Sequence, residues 1–127
     1  MEDYHSLQIK RADTFAKRFI GLMFRRSIHN SGLLLSPCNS VHMFFMRFPI
    51  DVVFVDQVGR IIFCIKELKP WRVSPIVKNS YYVLEMPCGS IERFNLHEGK
   101  RIVIPKDKKD FFVTLKSENN ENHLQVL

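Results

Sequence analysis

Between Ile50 and Lys66 the chain reads IDVVFVDQVGRIIFCIK, and few folds can house such a segment. β-Branched and aromatic residues fill Asp51 to Val55. Asp56-Gln-Val-Gly59 has turn chemistry, with Gly59 free to take a positive φ. Ile61, Phe63 and Ile65 then alternate on the return through Arg60 to Lys66. The pattern predicts a β-hairpin. The apolar density extends upstream: Pro37 to Ile65 holds five of the eleven phenylalanines and two of the three cysteines. The polar residues inside this block, His42, Arg47, Asp51 and Asp56, stand out against it.

The flanks predict further short elements. Leu7 to Lys10 alternates like a strand, and Asp13 or Thr14 can cap a helix over Phe15 to Ile20 that stops at Gly21. Arg25-Arg26 follows as a basic pair. Gly32 to Leu35 reads as a buried strand. Val41 to Met46 is apolar on both parities apart from His42, which predicts a strand covered on both faces, and Pro49 bends the chain after it. Glu67 to Pro75 is a loop holding the only tryptophan. Ser80 to Met86 is a strand, and Ser90 can cap a helical turn over Ile91 to Phe94. Arg101 to Ile104 and Asp110 to Lys116 complete the strands. Ser117 to Leu127 is polar and reads as a loose tail. The expected fold is α+β and β-rich: a compact barrel-like antiparallel or mixed sheet of six to eight short strands, one N-terminal helix and a helical turn near 90–95. Residues 1–116 form a single domain.

At 127 residues the chain can bury a core without staples. No apolar run is long enough to span a bilayer. The first ten residues lack a basic start followed by an apolar block, so a cytoplasmic location is expected. Three cysteines without a CxxC pair fit reduced thiols. The net charge of +6 is concentrated at the ends. Residues 1–50 hold seven Lys/Arg against three Asp/Glu, and residues 51–99 balance at six each. Such ends suit nucleic acid, anionic lipid or an acidic partner, or simply a solvated face.

Several constellations invite chemistry. Cys38, His42 and Met46 are soft ligands four apart, but on a strand that spacing is about 13 Å, too long to share an ion. Cys38 or Cys88 could pair with His42 or His97 only if the fold joined them. Asp51 and Glu85 could form an acid/base pair or stand in structural salt bridges, with Arg47 or Arg72 as partners for Glu85. Pro70-Trp71-Arg72 has the chemistry of a recognition loop, since the ring stacks and the guanidinium pairs with anions; Trp71 could equally fold back as a plug. No phosphate loop, HExxH or GxSxG is present, and no motif asks for a metal or cofactor.

Gly21-Leu-Met-Phe-Arg25, Cys38 to His42, Phe45 to Asp51, Phe54-Val-Asp56, Gly59-Arg60, Pro70-Trp-Arg72, Val83 to Gly89 and Gly99 together resemble the prokaryotic family known as domain of unknown function 192. The resemblance covers about residues 12 to 105. It departs at Lys100, where members usually carry an acid, and at Cys88, where a small residue is common. It implies a compact β-rich domain with no accepted enzymatic activity, whose members often lie near envelope or secretion systems. A bacterial source is expected on the same ground.

The favoured reading is a non-enzymatic binding or accessory module. Its polar cleft would involve His42, Arg47, Asp51, Trp71, Arg72 and Glu85, and would take a polar or anionic small ligand, a peptide or a protein. The alternative is a hydrolase using Asp51 or Glu85, assisted by His42. Weak nucleic-acid binding through the basic ends ranks last.

Overall fold

A computed structural model describes residues 4–12, 31–106, 110–116 and 124–126. Strands β1 (Tyr4–Ala12), β2 (Ser31–Leu35), β3 (Ile50–Val55), β4 (Ile61–Leu68), β5 (Tyr82–Pro87), β6 (Asp110–Lys116) and β7 (Leu124–Val126) join one mixed sheet in the order β4-β3-β5-β2-β1-β6-β7. β1 and β2 run parallel, and the other pairs are antiparallel. A four-residue helix, α1 (Ser90–Arg93), follows β5.

The sheet is open, which corrects the expectation of a barrel. Its outermost strands, β4 and β7, do not pair with each other. Among the described residues, the outer side of β4 bonds to the 99–102 segment through Ile61 N–H to Lys100 O (2.8 Å) and Gly99 N–H to Ile61 O (2.8 Å), with a bridge between Arg60 and Arg101 beside it. Register shifts along β3–β4 disturb the ladder, and the exposed Lys66 and Glu67 blunt the edge. Arg101 to Ile104, expected as a strand, therefore contributes a single bridge. The helix expected over Phe15 to Ile20 and the pair Arg25-Arg26 lie outside the described residues. β7 falls within the stretch whose polarity reads as a tail.

All six residues of β3 are buried, because each face of the sheet carries a layer. On one face Val53, Val55, Leu84 and Met86 pack with Leu7, Ile9 and Leu34 under Ile91, Phe94, Leu96 and Ile102. On the other, Val52, Phe54, Val83 and Leu35 pack under Val41, Met43 and Met46.

Those last three residues were expected on a strand, but they belong to a loop. Residues 44 and 45 form a turn, with Phe45 at φ 62°, and only His42 makes a bridge, to Val73. The backbone of this loop bonds to the 70–77 loop instead of joining the sheet. Trp71 N–H donates to Met43 O (2.7 Å), Met43 N–H to Arg72 O (2.7 Å) and Ser74 N–H to Val41 O (2.8 Å). The Ser74 hydroxyl accepts from Val41 N–H (2.8 Å) and donates to Pro75 O (2.9 Å). The two loops thus form one braced layer.

Candidate functional site

That brace decides which side chains reach water. Val41, Met43 and Met46 point inward at 5%, 0% and 6% exposure, so the residues between them are turned out. Phe44 (41%) and Phe45 (48%) are exposed, as are Trp71 (59%) and Val73 (58%) on the facing loop. The rings touch in series. His42 stacks on Phe44 at 5.0 Å between centroids, Phe44 lies 6.1 Å from Trp71, and Trp71 lies 5.0 Å from Phe45. Phe44 N–H donates to His42 Nδ1 at 3.3 Å. On the same two segments Arg47, Lys69, Arg72 and Lys78 are exposed, and neither 38–50 nor 69–80 contains an Asp or Glu. Trp71 does not plug the end of the sheet. It stands in solvent on a left-handed backbone, φ 67°.

Of the sequence candidates, His42, Trp71 and Arg72 come together on these loops, and Arg47 is exposed on the same segment as Phe44 and Phe45. The carboxylates lie elsewhere. Asp51 pairs with Met86 and Val52 with Glu85, so Asp51 and Glu85 point to opposite faces of the sheet and cannot act as one acid/base pair.

Asp51 is 1% exposed and fully engaged. Its Oδ1 accepts from Glu67 N–H (3.0 Å), and its Oδ2 accepts from Gly89 N–H (3.1 Å) and Ile91 N–H (2.9 Å). It caps α1 from β3 and anchors the end of β4, where Glu67 has φ 52°. Ser90, expected as the cap, instead donates its hydroxyl to Pro87 O (2.6 Å). The residue at the N-cap is Gly89, at φ 94° and without a side chain to cap with.

Glu85 stands in a row between Leu33 of β2 and Val52 of β3. It is 6% exposed, and no described residue hydrogen-bonds or pairs with its carboxyl. Burial pushes its pKa from 4.5 up to about 7. Arg47 and Arg72 do not neutralise it; the ion pair among the described residues is Lys66–Glu92 at 3.1 Å, on the surface.

The cysteines lack the environment of a nucleophile. Burial, followed by the charges of Glu98 and Asp51, raises Cys64 to about 11. Burial, then Asp51 and Glu67, also raises Cys88. Both therefore stay thiols rather than thiolates at neutral pH. Cys38 donates to Ser40 O at 3.1 Å, and Met46 belongs to the core under the loops, so neither is presented with His42 as a ligand set.

Phe44 and Phe45 were missed as surface residues by the sequence reading. No local signal marked them: on a strand covered on both faces adjacent rings would each face a layer, and it is the bonding to the 70–77 loop that turns them out.

Comparison with known proteins agrees with this architecture. The DUF192 family model, described as an uncharacterized ACR, matches residues 1–104. The chain belongs to the DUF192 family. Its relatives include UPF0127 proteins of Thermococcus kodakarensis, 34% identical over 87% of this chain and 73% of that protein, and of Pyrococcus furiosus, 36% identical over 76% and 85%. The chain spans only 64% of the Thermococcus gammatolerans relative, at 34% identity. These relatives are archaeal and lend no support to a bacterial source. Two crystal structures share the DUF192 fold. One is a Novosphingobium aromaticivorans protein of unknown function, with TM-score 0.67, 24% identity and coverage of 73% of this chain and 71% of that one. The other is a Sinorhizobium meliloti protein proposed to be a transcription regulator, with TM-score 0.70, 25% identity and coverage of 76% and 81%. Among the described residues no helix is long and apolar enough to cross a membrane. Two stretches that carry the DUF192 resemblance now have distinct jobs: Phe45 to Asp51 runs from the ring surface to the carboxylate that caps α1, and Val83 to Gly89 supplies most of the interior strand β5 and an amide that Asp51 holds.

Proposed function

We propose that this chain is a non-enzymatic binding or accessory module that meets its partner through the ring surface of the 41–48 and 70–77 loops, with His42, Arg47, Trp71 and Arg72 at the contact. The observation that carries this reading is the backbone of Phe45 and Trp71. Both are bulky residues at positive φ, a costly conformation, and both hold their rings in water against each other. The brace between the loops keeps that arrangement, and a preformed aromatic surface binds with little ordering cost. Four exposed cations on segments that contain no Asp or Glu favour an anionic or polar partner.

The test is a thermal-shift screen over sugars, nucleotides, acidic peptides and oligonucleotides, paired with Trp71 fluorescence. A compound that raises the midpoint should also change Trp71 emission, and Trp71→Gly should abolish the shift. A stabilising compound that leaves both untouched would place the binding site elsewhere and overturn the reading.

The hydrolase alternative keeps one supporting observation, the buried Glu85 carboxyl that holds its proton near neutral pH and could donate it. It predicts ester or amide hydrolysis by the wild-type protein that disappears in Glu85→Gln. Equal turnover by the two proteins would end it.

A further inference from the structure

We infer that the ring surface docks on an anionic lipid membrane, a conclusion that rests on the binding reading above and names its partner. Among the described residues, five of the seven exposed large hydrophobics, Phe44, Phe45, Trp71, Val73 and Ile76, belong to the two braced loops. Ile76 is the most exposed of them at 77%. A surface for sugars or bases relies on ring faces for stacking. This surface instead adds the aliphatic Val73 and Ile76, which stack on nothing but suit the boundary between headgroups and acyl chains. Trp and Phe are side chains of that boundary. Arg47, Lys69, Arg72 and Lys78 are exposed on the same two segments, where they can pair with lipid phosphates, and no carboxylate on those segments opposes them.

The shape agrees. Two surface depressions among the described residues, about 400 and 360 Å³, are lined by Asp56, Val58, Tyr81, Tyr82 and Arg101 among others, and lie away from the ring surface. The rings stand on turns rather than in a groove, so they meet a broad surface better than they enclose a small molecule. The contact is peripheral, since it uses loop tips.

Trp71 is the only tryptophan, so its fluorescence reports this surface directly. Purified protein is titrated with phosphatidylcholine vesicles and with vesicles in which roughly a third of the lipid is phosphatidylglycerol, and bound protein is measured by co-sedimentation. The anionic vesicles should pull down the protein, shift Trp71 emission to the blue and shield it from acrylamide; neutral vesicles should do so far less. Arg47→Gln and Arg72→Gln should each lower partitioning about five-fold. Phe45→Ala, which keeps the fluorophore, should lower it further while melting like a folded protein. Absence of both sedimentation and blue shift with anionic vesicles at low salt overturns the membrane assignment. If oligothymidylate or an acidic peptide quenches Trp71 in that case, the surface remains a binding site and only the lipid is wrong. If Trp71 in the protein alone is already blue and resists acrylamide, the ring surface itself is refuted, and the binding reading falls with it.

Discussion

Asp51 and Asp56 sit at the two ends of one hairpin strand, and each accepts backbone N–H groups, yet replacing them by Asn should have very different effects. Asp51 divides its acceptors between two oxygens, one bond on Oδ1 and two on Oδ2. Asn has one carbonyl oxygen. In its better orientation it keeps Gly89 and Ile91 and turns its NH₂ toward the amide of Glu67, leaving donor against donor in a site 1% exposed. One charge-assisted bond is lost and a buried amide is orphaned, each costing about 1.5–3 kcal/mol. Asp51→Asn should therefore cost about 3 kcal/mol, or roughly 10 °C in midpoint for a domain of this size. Asp56 places both of its bonds, from Val58 N–H (3.0 Å) and Arg60 N–H (2.9 Å), on Oδ1 alone. An Asn carbonyl can replace that oxygen in an exposed turn, so Asp56→Asn should cost less than about 1 kcal/mol. Urea melts of the two variants measure the difference. Amide exchange gives a local check, since Glu67 N–H should lose protection in Asp51→Asn. Equal losses in the two variants, or a gain from Asp51→Asn, would refute the structural role. A gain would be the behaviour of an active-site carboxylate released from strain, and would revive the hydrolase reading.

Three further outcomes follow from the same structure. Because burial raises Glu85 to about 7, the folded chain holds that proton more tightly than the unfolded one. The contribution of Glu85 to stability should be fully present below pH about 4.5 and fall by about 3 kcal/mol as pH rises through about 7. Glu85→Gln should flatten that window in urea melts, and an unchanged pH profile would contradict the burial argument. Gly59 and Gly99 both have positive φ, 91° and 90°, but a Cβ at Gly59 runs into the backbone oxygen of Ile102 while one at Gly99 meets nothing within 4 Å. Gly99→Ala should cost about 1 kcal/mol and Gly59→Ala about 3 kcal/mol, and equal midpoints would mean that the 59–102 contact is not made. Trp71→Gly should be about 1 kcal/mol more stable than Trp71→Ala, because only glycine takes φ 67° without strain; an alanine variant as stable as the glycine one would remove the strain argument from the ring surface.

The hairpin was legible because its information is local. Six buried residues in a row, a turn ending in Gly59 and an alternating return are each properties of one segment, and β3 and β4 formed where they were expected. The 41–48 loop was not legible, because what shapes it is not local. Its composition is that of a buried strand, and half of it is indeed buried. What removes it from the sheet is a set of bonds to residues about thirty positions away, and no periodicity within VHMFFM announces Trp71 N–H or Ser74 Oγ. The same holds for the candidate site. A His, two Arg and a Trp could be picked out by chemistry, but Phe44 and Phe45 were counted as core because an aromatic pair is usually core. Asp51 was drawn toward catalysis for the converse reason: a lone acid inside an apolar run looks functional until its three amide donors come into view, and two of those belong to the N-cap and first turn of a helix about forty residues on. In this chain, then, Asp51 inside the sheet serves the fold, and the apolar residues outside the sheet are the first candidates for function. That inversion is visible only in three dimensions. It is also why the surface to test first is the one richest in phenylalanine, and not the one holding the carboxylates.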